Sequence, residues 1–107
     1  MDGLSFDRLC RTPQSEAYLI SQDGVSFARV DLHFTQSIVY GVVVLERDLE
    51  PDEITDLIGD IDDDLVWSAD VPRDDFVVTV YRGSEVGVFS DALMDDDEED
   101  DEANGVG

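Results

Sequence analysis

Between Val25 and Phe34 apolar and polar residues alternate with period two: Ala28, Val30, Leu32 and Phe34 on one side, Arg29, Asp31 and His33 on the other. Such alternation marks a strand with one face in a core and one in water. The Asp23-Gly24 pair just before it is a two-residue hairpin signal, because both central positions of the favoured turn need positive φ. Glu16 to Gln22 is then the partner strand. Gln36-Ser37 makes a second short turn, and Ile38 to Leu45 follows as an unbroken apolar run. A run without alternation predicts a central strand covered, at least in part, on both sides. Gly41 inside it predicts a bulge or a close approach by the helix.

After residue 50 the period changes. Ile54, Leu57, Ile58, Ile61 and Leu65 form one apolar stripe at helical spacing. Pro51 suits the first helical position, and Asp52 and Glu53 complement the positive end of the helix dipole. Asp60, Asp62, Asp63 and Asp64 oppose its negative end, so the helix should stop or fray near them. Val66 to Val71 reads as a connector or short strand ending at Pro72. Phe76 to Tyr81 is a strand, Arg82-Gly83-Ser84 a turn, and Glu85 to Ser90 a returning hairpin partner. Ala92, Leu93 and Met94 are expected against the fold. At the other end, Leu4, Phe6 and Leu9, with Asp7 and Arg11 four apart, predict a short N-terminal helical segment that Pro13 terminates.

The fold class expected is α+β. An antiparallel sheet of about five strands, in β-β-β-α-β-β order behind the short helical segment, carries one helix on one face. One small domain should span residues 1–94, and residues 95–107 should form a disordered acidic tail.

Charge changes this picture more than overall composition does. The chain of 107 residues has 28 acids and six basic residues, all Arg, for a net charge of -22. Residues 1–45 carry a net of -2, residues 46–94 a net of -12, and residues 95–107 a net of -8. The second half of the domain is therefore acidic independently of the tail. Such a field repels nucleic-acid phosphates and anionic membranes and attracts basic surfaces. The acidity also fits a saline cytoplasm, where molar salt screens carboxylates within a few Å.

Catalytic chemistry finds little support. His33 is the only histidine and Cys10 the only cysteine, and a nucleophile needs a base beside it. Cys10 is expected to pack as a small apolar side chain. The Lys-free chain has no phosphate-binding loop of the Gly-rich, Lys-ending type. Asp60, Asp62 and Asp64 open like a calcium loop, but Leu65 stands where glycine is required and Val71 where the bidentate Glu belongs. No cofactor and no metal is expected. One cysteine and no leader-like apolar stretch read as cytoplasmic.

The expectation is a non-catalytic module that binds a basic protein partner. Asp56, Asp60, Asp63 and Asp64 on the exposed helix side would engage it. The run Asp95, Asp96, Asp97, Glu98, Glu99, Asp100, Asp101 and Glu102 would steer it. Trp67 either packs in the core beneath the helix end or anchors that interface, since Trp is enriched at binding hot spots. The alternatives are a DNA mimic that inhibits a nucleic-acid-binding protein, and a housekeeping protein adapted to salt. The expected order of elements and the acidity, over roughly residues 4–90, resemble small, acidic, dimeric secretion-chaperone-like proteins. That resemblance implies a binding protein without catalysis and a homodimer formed through the sheet.

Overall fold

The computed structural model describes residues 1–69 (Ser68 by its backbone alone) and 73–92. It has a five-stranded mixed sheet and one α-helix, an α+β fold. The strands are β1 (Leu4–Thr12), β2 (Ser15–Gln22), β3 (Val25–Phe34), β4 (Ile38–Leu45) and β5 (Asp75–Arg82), side by side in that order. Helix α1 (Pro51–Ile61) lies in the chain between β4 and β5.

The β2–β3 hairpin forms where the sequence places it. Gln22 pairs with Val25, Asp23 has φ 52° and Gly24 φ 84°. Both central residues are left-handed, as a turn matching the twist of the flanking strands requires. Pro13 and Gln14 join β1 to β2, and residues 35–37 join β3 to β4.

Four expectations fail, each for a physical reason. The N-terminal segment is a strand, β1, instead of a helix. Leu4 and Phe6 follow the two-residue period, and a bulge at Leu9, between Arg8 and Cys10, displaces the next apolar residue and imitates helical spacing. Arg11 pairs with Glu16 across the sheet (3.6 Å), not with Asp7. Second, β5 is parallel to β4, with Val39 opposite Phe76 and Val43 opposite Val80. The crossover through α1 carries the chain back to the starting end of β4, which sets the two strands parallel.

Third, Glu85 to Ser90 forms no strand. The Gly83 amide donates to the Leu45 carbonyl (2.8 Å), extending the β4–β5 ladder where a hairpin turn would have to begin. Residues 83–90 continue as an extended strap. With a strand in place of the first helix and one strand after α1, the order no longer matches that of the secretion-chaperone-like proteins. Fourth, Cys10 is exposed on β1, and so is Ala92. Leu93, Met94 and the tail lie outside the described residues.

The core sits between one sheet face and the helical layer. Ile20, Val30, Leu32, Val39 and Val43 meet Leu57, Ile61 and Val66, all fully or almost fully buried. At roughly 1.5–3 kcal/mol per buried large aliphatic side chain, this layer holds the fold together. Gly41 serves a close approach, but the Phe76 ring of β5 fills the space instead of the helix. A Cβ at position 41 would meet that ring at 3.1 Å.

Candidate functional site: the acidic helical layer and its aromatic end

Helix α1 begins with Glu50 as N-cap and Pro51 at the first turn. The Glu53 carboxylate accepts from the Glu50 amide (2.9 Å), half of a capping box, and places charge at the positive end of the dipole. The apolar stripe buries Leu57 and Ile61. The 3.6-residue period therefore turns Asp52 and Asp56 to solvent and leaves Asp60 half-exposed. Carboxylates at positions 52, 56 and 60 lie about 6 Å apart along the axis. The chain's α-amine at Met1 donates to Asp60 Oδ2 (3.2 Å) and neutralises it locally. This contact raises the pKa of the amine, chiefly through the hydrogen bond to Asp60.

The α-helix stops at Ile61, near the aspartates that oppose its dipole. The chain continues as a π-helical turn (Asp62–Val66) and a 3-10 turn (Trp67–Ala69), so the segment expected as a connector or short strand is helical up to Ala69. Asp70 and Val71 lie outside the described residues. The widened turn lets the adjacent Leu65 and Val66 both enter the core while Asp63 and Asp64 stay outside. Trp67 then faces outward, 58% exposed. The expectation of a core-packed Trp67 fails because Leu65 and Val66 already occupy the space under the helix end.

No basic residue lies in the last turn of α1. Arg73, on the approach to β5, supplies the missing cation. Its Nη2 donates to Asp62 Oδ2 (2.9 Å), and its guanidinium lies 5.0 Å from the Trp67 ring centre and 6.0 Å from that of Phe76. Both side chains of the pair are about four-fifths buried. Asp62 Oδ1 and Arg73 Nε are buried without hydrogen-bond partners. Arg73 thus backs one side of the indole and ties the helix end to the start of β5. No sequence signal marks this role, because Arg73 and Asp62 are eleven residues apart and meet only through the crossover.

The structure therefore gathers Asp56, Asp60, Asp63, Asp64 and Trp67 onto one helical layer. The seven carboxylates and no basic residue of positions 51–66 make it the most acidic part of the described chain. Residues 95–102 lie outside the described part.

Other candidate chemistry is not assembled. Cys10 is in register with Asp31, and His33 with Thr12, two strands away through β2. Two strand spacings separate Cys10 from His33 by about 10 Å, beyond hydrogen-bond reach. Among the described residues no three His, Cys, Asp or Glu side chains converge as a metal site would require. Also among them, no helix is long and apolar enough to cross a membrane. No protein-family model, curated protein or solved structure matches the chain.

Proposed function

We propose that this protein is a non-catalytic binding module that engages a basic protein partner through the acidic helical layer. The observation that carries the reading is the exposed Trp67 three residues after Asp64, at the end of a segment (positions 51–66) that carries seven carboxylates and no basic residue. An exposed indole beside carboxylates suits an incoming Lys or Arg. The cation gains the ring face and the carboxylate field together, each worth roughly 0.5–1 kcal/mol at an exposed site. The diffuse field of the layer and of residues 95–102 steers the approach.

Trp67 is the only tryptophan, so its fluorescence reports from the site itself. The test titrates the full chain with a Lys/Arg-rich 20-residue peptide. Two triple variants of equal net charge are compared: Asp56→Asn/Asp63→Asn/Asp64→Asn, and Asp2→Asn/Asp7→Asn/Asp23→Asn. The first should bind about tenfold more weakly than the second, since three exposed charge contacts of about 0.5 kcal/mol each sum to about 1.4 kcal/mol. Equal weakening would assign binding to net charge alone and overturn the reading. A DNA-mimic role is distinguished by competition on the partner itself: a mimic and short duplex DNA would exclude each other from one DNA-binding protein, whereas a partner of an adaptor would hold both.

A further inference from the structure

The sheet face turned away from α1 is built unlike the rest of the surface. Its register sets three rows across the five strands: Asp7–Leu19–Arg29–Val44–Tyr81, Cys10–Ala17–Asp31–Val42–Thr79 and Thr12–Ser15–His33–Tyr40–Val77. Charges in these rows are Asp7, Arg29 and Asp31, and Glu46 and Glu85 line the groove beside them, together a net of -3 in a chain of -22. Arg29 and Asp31 cancel each other through two hydrogen bonds of 3.0 Å. Tyr40, Val77 and Tyr81 are 43%, 41% and 57% exposed.

The strap after β5 returns beside this face, and the two line one groove. Ser84, Glu85, Gly87 and Val88 stand off from Leu9, Leu19 and Val44 across a groove of about 720 Å³. Val86, Val88 and Phe89 on the strap are 96%, 73% and 73% exposed. Two partly exposed apolar surfaces therefore lie next to each other, away from the acidic helical layer.

We infer that this face and the strap form an isologous homodimer interface, the open sheets facing each other and each strap reaching onto the other protomer. Charge selects a second copy as the occupant. Chains this acidic meet at least cost through a face of low charge, and this one cancels its central pair, Arg29 and Asp31, internally. Facing sheets about 10 Å apart, each backed by a helix about 10 Å thick, leave the two acidic layers roughly 30 Å apart on the outside. That exceeds the screening length of about 10 Å at 0.1 M salt. Area agrees as well. Five strands about 4.8 Å apart and seven residues long give a footprint of roughly 24 by 23 Å. The strap side chains bring this toward the ~800 Å² per partner of a stable interface. Tyr and Phe are also the residue types enriched in interface cores. The dimer leaves both proposed partner-binding layers exposed and does not depend on them.

Sedimentation equilibrium of the full chain from 1 to ~200 µM, at 0.1 and 1 M NaCl, tests this. The expected mass is twice 11.9 kDa, with tighter association at the higher salt. Val77→Asp on the face and Phe89→Asp on the strap replace exposed side chains and should stay folded by far-UV circular dichroism. Each should weaken the dimer at least tenfold. A monomer throughout the range at both salts would overturn the inference, including one whose strap amides are protected by closing on its own face. A dimer unchanged by either substitution would place the interface elsewhere and overturn it equally.

Discussion

Arg73→Ala tests whether the helix end is held as described. The substitution removes the cation 2.9 Å from Asp62 and the guanidinium behind Trp67. Removing one partner of a fully buried ion pair costs about 3–5 kcal/mol, whereas an exposed pair contributes ~0–1. The Arg73 and Asp62 side chains are 20% and 22% exposed, so the cost lies nearer the buried limit, at about 2–3 kcal/mol. Loss of the stacked cation adds about 0.5–1 kcal/mol. Against a total stability of roughly 5–15 kcal/mol, this lowers Tm by on the order of 10–20 °C. Asp62→Asn should cost only about 1 kcal/mol, because the amide oxygen still accepts from Arg73 and one charge leaves a crowded acidic turn. The double variant Asp62→Asn/Arg73→Ala should then be more stable than Arg73→Ala alone by ~1–2 kcal/mol, since the uncompensated carboxylate is gone. Urea unfolding followed by far-UV circular dichroism measures all four proteins. If Arg73→Ala changes stability by less than 0.5 kcal/mol, or the double variant is the least stable, the ion pair does not hold this end.

Three further outcomes follow from the structure. The pKa of the Met1 amine is raised in the folded chain by Asp60, so its contribution is complete below the unfolded value of 8.0 and is lost as pH rises through the higher folded value. Thermal melts should therefore fall between pH 7 and pH 10, and Asp60→Asn should flatten that slope; an unchanged slope would mean the contact carries no stability. Gly24→Ala, at φ 84°, should destabilise by about 1 kcal/mol although open space surrounds the position, while Gly59→Ala in α1 should stabilise by about 0.5–1 kcal/mol. Equal effects at the two glycines would contradict the turn geometry. Far-UV spectra and melts across salt should show a cooperative transition already at ~0.15 M NaCl; a chain that gains structure only in molar salt would assign its acidity to saline adaptation.

The legible parts of the fold are those written in local periodicity. Asp23-Gly24, the alternation of β3 and the stripe from Ile54 to Ile61 each depend on neighbours within one element, and each stands where the sequence puts it. What failed depends on residues far apart in the chain. The bulge at Leu9 broke the period of β1, and parallel pairing of β5 follows from where the crossover returns, not from the alternation of Phe76 to Tyr81 itself. Val86 and Val88 alternate as a strand would, but a strand also needs a partner, and the Gly83–Leu45 bond directs the chain away from one. Likewise the outward helix carboxylates were readable from the stripe opposite them. The exposure of Trp67 was not, because it depends on a π turn that buries Leu65 and Val66 together.

The most direct test of the central claim is the association rate of a Lys/Arg-rich peptide with the full chain, followed by stopped-flow Trp67 fluorescence from 0.05 to 0.5 M NaCl. Steering by the acidic layer predicts a fast rate at low salt that falls ten- to a hundredfold across the range. It also predicts that Asp56→Asn/Asp63→Asn/Asp64→Asn lowers the low-salt rate well below that of the equally charged Asp2→Asn/Asp7→Asn/Asp23→Asn. Identical rates for the two variants at every salt concentration, or no response of Trp67 to the peptide, would contradict it.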